Sequence, residues 1–223
     1  MALIGNAAML LWYDIVPDQV GEHDEWHTRE HFAERVGIPG FLRAQRWVAQ
    51  GNTSPRYFVS YEVRDVATLT SAPYLARLEN PTPWTRRIMP HFRGMVRGFC
   101  RREHSLGAVL GAELLVVRYS PRRGEAAALS RWLAGHALPE AVARRGVASA
   151  FTLVAEGAPP MTAEQALRGR DATVDGVLLV SGYDAAEVDA VGRHALAPET
   201  LEAHGAMPAS AVGRYRLVCR GDA

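Results

Sequence analysis

The sequence predicts an α+β protein built from two tandem βαββαβ repeats, and three repeated features carry that expectation. An apolar strand ending in proline occurs twice, as LLWYDIVP (10–17) and LLVVRYSP (114–121). Each copy is followed by a helical stretch with a tryptophan and then a histidine, Trp26 with His31 and Trp132 with His136, at spacings that differ by one residue. The halves also end alike. MPHFRGMVRGFCR (89–101) and MPASAVGRYRLVCR (207–220) share Met-Pro, a strand pattern and a closing Cys-Arg, which puts Cys100 and Cys219 at equivalent positions.

After the first helix, Gly40 opens FLRAQRWVAQ and Gly146 opens VASAFTLVAE, two runs rich in the residue types of strands. A third strand follows, YFVSYEV (57–63) or GVLLVSGY (176–183), and then Asp65 or Asp184 stands where an N-cap would start a second helix. In the first half that helix is bounded by Ser71 and Pro73 at its start and by Asn80-Pro81 at its end. Strand, helix, strand, strand, helix, strand is the ferredoxin-like order, an antiparallel sheet with helices on one face. The other face of each sheet needs cover, because a large exposed apolar face is rare on a monomer. The two sheets are therefore expected to pack face to face as an intrachain α/β barrel, a pseudo-dimer in one chain, with a further homodimer left open. The expected division is 1–104 and 111–223, with the boundary near REHSLGAVLG (102–111), where charge and glycine interrupt the pattern. EGAPPMTAEQALRGRDATVDG (156–176) reads as an insertion, a surface loop with one short helical turn.

Composition narrows the function. Twenty-five Lys plus Arg against 24 Asp plus Glu leave a net charge of +1, which argues against nucleic acid or a membrane surface as partner and for a small molecule. MALIGNAAMLLWYDIVP lacks a basic leader and meets Asp14 too early for a signal core, and no run is long enough to span a bilayer. Two cysteines make neither a disulfide framework nor a metal cluster, so a cytoplasmic location is expected. Phosphate loops, dinucleotide fingerprints and nucleophile elbows are absent from the sequence.

Trp26, Glu30, His31, Pro39, Gly40 and Phe41, with NPTPWTRRIMPHFR (80–93) as a second block, resemble the EthD-like members of the dimeric α/β-barrel superfamily. The likeness runs through residue 101. In the second half it is one of topology, and Gly135 precedes His136 where the first half has Glu30 before His31. The resemblance implies a barrel but not a reaction, since this fold hosts isomerases, polyketide cyclases, cofactor-free monooxygenases and haem enzymes.

The candidate site residues lie in the first half. His23, His27 and His31 stand four apart; on a regular helix they drift around the surface, so one ion cannot easily take all three, no metal is expected, and His27 reads as a surface residue. Glu30 falls on or beside the apolar stripe of Trp26, Ala33 and Val36, where a carboxylate needs a partner, and Arg46 or a pocket arginine is the expected one. His31, with an unperturbed pKa near neutrality, suits general acid or base work. Trp84, Arg86, Arg87 and His91 form a stiff basic loop that closes a pocket over an anionic or carbonyl-bearing ligand, or else Trp84 plugs the core and the arginines are solvated. Glu30, His31, Arg86 and Arg87 are thus the catalytic candidates, and Trp26, His27, Arg46, Tyr61, Trp84 and His91 the substrate-binding ones. The expected function is a cofactor-independent enzyme of isomerase, cyclase, dehydratase or oxygenase type, using acid/base chemistry on a mostly apolar carbonyl or aromatic substrate. Two alternatives remain: a non-catalytic small-molecule-binding or assembly module, and haem binding through a helix histidine.

Overall fold

A computed structural model of the chain describes residues 3–157 and 161–223. The first half runs β1 (Ala7–Ile15), α1 (Val20–Trp26), a π-helical turn (His27–His31), α2 (Phe32–Val36), β2 (Phe41–Ala49), β3 (Tyr57–Val63), α3 (Ala72–Glu79), α4 (Pro83–Ile88) and β4 (Phe92–Leu106). The second runs β5 (Glu113–Tyr119), α5 (Ala126–Trp132), a π-helical turn (Leu133–Ala137), α6 (Leu138–Ala143), β6 (Val147–Ala155), α7 (Ala163–Ala166), β7 (Gly176–Gly182), α8 (Ala185–Arg193), α9 (Pro198–Ala203) and β8 (Ala211–Asp222). All eight strands close one antiparallel barrel in the order β1-β3-β2-β8-β5-β7-β6-β4.

Each half thus supplies four neighbouring strands, and the halves are joined edge to edge by β2 with β8 and by β4 with β6. The expected face-to-face packing takes the form of a closed barrel, which leaves no sheet edge unpaired around the ring. Period-2 alternation then sorts the side chains. On β1, Ala8, Leu10 and Trp12 point into the barrel with Phe58, Phe151, Leu153 and Leu179, while Met9, Leu11 and Tyr13 point outward under the first-half helices. Leu115 and Val117 of β5 do the same beneath α5 and α6. Among the described residues no helix is long and apolar enough to cross a membrane.

The last strand of the first half is longer than its pattern suggests: β4 continues to Leu106, into the stretch where the boundary is expected, and Cys100 to Leu106 pair with Ala155 to Ala150 of β6. Two sequence expectations are corrected. Asp65 caps a 3-10 turn (Val66–Thr70) through the Thr68 N–H at 2.9 Å, and α3 begins only after Ser71; Asp184 does cap α8 directly. The 156–176 insertion contains the short helix α7 but is not a surface loop throughout. Thr162, Glu164 and Gln165 are buried, and residues 161–175 cross the outside of the first half as a strap; Ala158, Pro159 and Pro160 lie outside the described residues. Backbone hydrogen bonds tie the strap to β4, from Arg97 N–H to Ala172 O at 2.8 Å and from Ala172 N–H to Met95 O at 2.9 Å. Gly98 permits the approach, because a Cβ there would meet Val174.

Candidate functional site

A cavity of about 30 Å³ lies in the first half between the outer sheet face and the helices. Met9, Leu11 and Tyr13 of β1 and Val59 and Tyr61 of β3 form its floor. Trp26, His27, His31 and Arg35 come from the helix, Tyr74 from α3, and Met89, Phe92, Met95 and Arg97 from the approach to β4 and that strand. Glu164 and Arg168 of the strap complete the wall. The volume holds one water-sized molecule.

The π-helical turn decides what the helix presents. At its end the Phe32 N–H bonds to His27 O, five residues back, so each position gains one residue per turn over an α-helix. Residues spaced by four then stay on one face instead of drifting, and His23, His27 and His31 are all buried in a row, with ring centroids 5.2 and 5.5 Å apart. The expectation that His27 is a surface residue is therefore overturned. Trp26 packs on His31 at 4.3 Å between centroids and on His27 at 5.6 Å. Burial pushes the pKa of all three histidines down: well down for His27, where His23 and His31 add to the effect, and for His31, where Arg35 adds to it, but less for His23, whose bond to Asp24 works the other way. Among the described residues no group of three or more His, Cys, Asp or Glu is placed to hold a metal ion.

Hydrogen-bond partners fix two histidine tautomers. Asp24 accepts from His23 Nδ1–H at 3.0 Å, so His23 Nε2 is the acceptor for the Tyr13 hydroxyl at 3.0 Å. Although burial alone would raise it, the His23 bond, the Arg46 charge and the Tyr57 hydroxyl, at 2.9 Å, hold the Asp24 pKa below the usual carboxylate value. His27 is wired oppositely. Its Nδ1 faces Arg46 Nη1 at 3.4 Å, and a guanidinium only donates, so His27 Nε2–H donates to the Tyr61 hydroxyl oxygen at 2.9 Å. The Tyr61 proton is left free to donate elsewhere, whereas the Tyr13 proton is spent on His23. His31 Nδ1 is buried without a hydrogen-bond partner, 4.0 Å from Glu34 Oε2.

The other sequence candidates fall elsewhere. Glu30 is beside the cavity, not in it, and its partners are neutral: Thr82 Oγ1–H at 2.6 Å, the Trp26 indole N–H at 3.1 Å and Thr85 Oγ1–H at 3.4 Å. Arg46 is buried behind His27, bonded to Asp24 O and Thr28 Oγ1 at 3.2 Å, and does not reach Glu30. The basic stretch expected as a pocket-closing loop is the helix α4, capped by Thr82, and it turns its polar groups away. Trp84 donates to Glu22 at 2.7 Å, Arg86 to Pro81 O at 3.1 Å and Arg87 to Pro83 O at 3.5 Å, and His91 is half-buried outside the lining. The arginines at the cavity are instead Arg35, Arg97 and Arg168. Arg35 continues the every-fourth-residue series of the histidines, a signal present in the sequence. The strap acids Glu164 and Asp171 pair with Arg35 and Arg97 from far along the chain, where no local pattern signals the meeting, and Asp171 also pairs with Arg168 three residues before it.

The second half carries a larger and more open cleft of about 720 Å³ beside α5, bordered by Glu103, Tyr119, Ser130, Arg131 and Asp175, with no histidine in its wall. His136, the counterpart of His31, is exposed.

The depressed histidine values predict acid sensitivity. In the unfolded chain these rings take up protons near their ordinary value of about 6.5, but in the folded chain they resist, so the unfolded state binds more protons and stability rises with pH. Their contribution is complete above about 6.5 and is lost as pH falls toward the depressed folded values. Urea unfolding should show lower stability at about pH 5 than at about pH 7.5, with a smaller difference for His27→Gln. Equal stability at the two pH values would contradict the assignment of three neutral buried imidazoles.

No family model matches this chain, and no curated protein matches it either. Solved structures do resemble it. An anthrone oxidase-like protein superposes with TM-score 0.67 at 11% identity, over 100% of this chain and 95% of its own. A Fusobacterium nucleatum protein provisionally named a monooxygenase gives 0.60 at 6%, covering 98% and 95%, and a chlorite dismutase variant from Candidatus Nitrospira defluvii gives 0.56 at 10%, covering 95% and 92%. At such identities the likeness speaks for fold alone, a mixed α+β fold around a closed eight-stranded antiparallel barrel.

Proposed function

We propose that the first-half cavity is the active site of a cofactor-independent enzyme that moves protons on a small, mostly apolar carbonyl or aromatic substrate. The observation that carries this reading is His31: a buried imidazole kept neutral, its Nδ1 without a hydrogen-bond partner, on the wall of an aromatic cavity. Such a ring is a general base with its lone pair free. It takes a proton from the carbon next to a carbonyl, and the negative charge passes to the carbonyl oxygen. The free Tyr61 O–H and the Arg35 guanidinium then stabilise that oxygen in a water-poor space. Return of the proton to a different carbon gives isomerisation, and its delivery to a departing hydroxyl gives dehydration. Tyr13, His23 and Asp24 form a second proton path: as Tyr13 accepts a proton, its own moves to His23 Nε2, and the imidazolium is held by Asp24, which is partly exposed to solvent.

On this reading 1–104 and 111–223 are duplicated units, the first retaining the chemistry and the second completing the barrel. The Trp26, Glu30, His31 and Pro39-Gly40-Phe41 pattern supports EthD-like kinship, and two free cysteines, one of them buried, are in keeping with a cytoplasmic protein. An enolate formed by proton removal is also the species that dioxygen attacks without a cofactor, and the names of two structural neighbours, anthrone oxidase-like and monooxygenase, make oxygen uptake a second readout to record.

The residues present offer haem no preformed place: both nitrogens of His23 and of His27 are already bonded, His31 packs against Trp26 at 4.3 Å between ring centroids, and the 720 Å³ cleft has no histidine in its wall.

The test is solvent-deuterium incorporation, followed by NMR, into a panel of cyclic 1,3-diketones and anthrones, with oxygen uptake recorded in parallel. Protein-dependent exchange or uptake on members of the panel is expected. No exchange above buffer for any of them, together with no uptake, would remove the reading.

A further inference from the structure

We propose that the strap end of the cavity is a binding site for a small aromatic monoanion, a carboxylate or phenolate, held by Arg35 and reached through a basic vestibule. This rests on the reading of the cavity as a small-molecule site and adds the class of molecule it takes. Three guanidinium groups, Arg35, Arg97 and Arg168, meet there with two carboxylates, Glu164 and Asp171, and none of the five side chains is more than 8% exposed. Glu164 accepts from Arg35 Nη2 at 2.6 Å. Asp171 is shared, at 2.9 Å from Arg97 Nε and 3.0 Å from Arg168 Nη2. The neighbouring Glu34 is paired with Arg77 at 2.6 Å and so does not compensate the cluster. One positive charge is left over in a buried place, where an uncompensated charge is costly unless a counter-ion completes it.

Two guanidinium nitrogens of the cluster lack a hydrogen bond, Arg97 Nε, which has only the Asp171 charge 2.9 Å away, and one on Arg35. Arg35 Nη1 is buried with no hydrogen-bond partner, and one turn earlier the His31 Nδ1 is in the same state; both residues line the cavity. Around them the walls are the rings of Trp26, Tyr61, Tyr74 and Phe92, surfaces suited to a flat apolar body with one charged end. Outside lies a second space of about 290 Å³ that shares Phe92, Met95 and Arg168 with the cavity and adds the exposed Arg170. The shared residues form the partition between the two spaces. Met95 is a long, unbranched and only partly buried side chain that can repack to admit a ring, while Arg168 stays paired with Asp171. The basic lip draws anions toward it.

Isothermal titration calorimetry of the full chain with benzoate and with the neutral isostere benzamide tests the proposal. Benzoate is expected to bind at least roughly tenfold tighter. Glu164→Gln releases Arg35 Nη2 and should tighten benzoate by roughly threefold or more while leaving benzamide unchanged, a response that a purely structural Glu164 would not give. The double variant Arg35→Met, Glu164→Gln removes the guanidinium together with its own carboxylate, so the net charge of the cluster is unchanged, and it should lose roughly 10- to 100-fold for benzoate only. Equal affinity for the two probes, no binding of either, or weaker benzoate binding by Glu164→Gln would overturn it. Benzoate selectivity without deuterium exchange on any carbonyl would leave the anion site standing and sink the catalytic reading; exchange on neutral diketones without benzoate selectivity would do the reverse.

Discussion

His31→Ala is expected to slow carbonyl deuterium exchange by roughly 10²- to 10⁴-fold, the usual contribution of a positioned general base, while His136→Ala leaves it unchanged. The contrast follows from placement. His31 sits on the cavity wall against Trp26, with burial and the Arg35 charge keeping it neutral, whereas His136 is exposed at the matching π-helical turn of the second half. Because the alanine also leaves space beside Trp26, melting temperatures must be compared, and added imidazole offers a cleaner readout: it should restore part of the exchange rate to His31→Ala by entering the vacated position. Equal losses from the two alanine variants at equal stability would show that His31 is not the base.

The barrel was legible because its signals are local. Strand runs with period-2 alternation, Pro and Gly at element ends, and the repeated Met-Pro to Cys-Arg ending all act within about ten residues. The site was half legible for the same reason. Trp26, His27, His31 and Tyr61 line the cavity, yet a 3.6-residue period scattered the histidines that the π-helical turn realigns. Only Thr82 stands between the apparent loop Pro-Trp-Thr-Arg-Arg and a capped helix whose arginines bond their own backbone. The strap was least legible: Glu164 meets Arg35 across 129 residues, and no local pattern encodes such a meeting.

The second large effect is expected on stability, from Asp171→Ala. Its carboxylate, 4% exposed, accepts from Arg168 Nε at 3.1 Å and Nη2 at 3.0 Å and stands 2.9 Å from Arg97 Nε. Removing it leaves two buried guanidiniums close together with no counter-charge, and breaking one side of such a buried pair typically costs about 3–5 kcal/mol. The loss should fall first on the strap, since Asp171 and the Ala172 backbone bonds hold the segment against β4. Hydrogen exchange is therefore expected to rise at residues 161–175 before the barrel strands open. Glu25→Ala serves as the comparison: its partner Arg29 lies on the same exposed helix face, and pairs of that kind are worth about 0.3–0.5 kcal/mol. Adding Arg168→Met to Asp171→Ala removes one stranded charge and should recover part of the stability, a coupling that independent sites would not show. A loss below about 1 kcal/mol for Asp171→Ala, measured by urea unfolding, would mean that the arginines find water or other partners, and that the strap is held by its backbone bonds and Val174 alone.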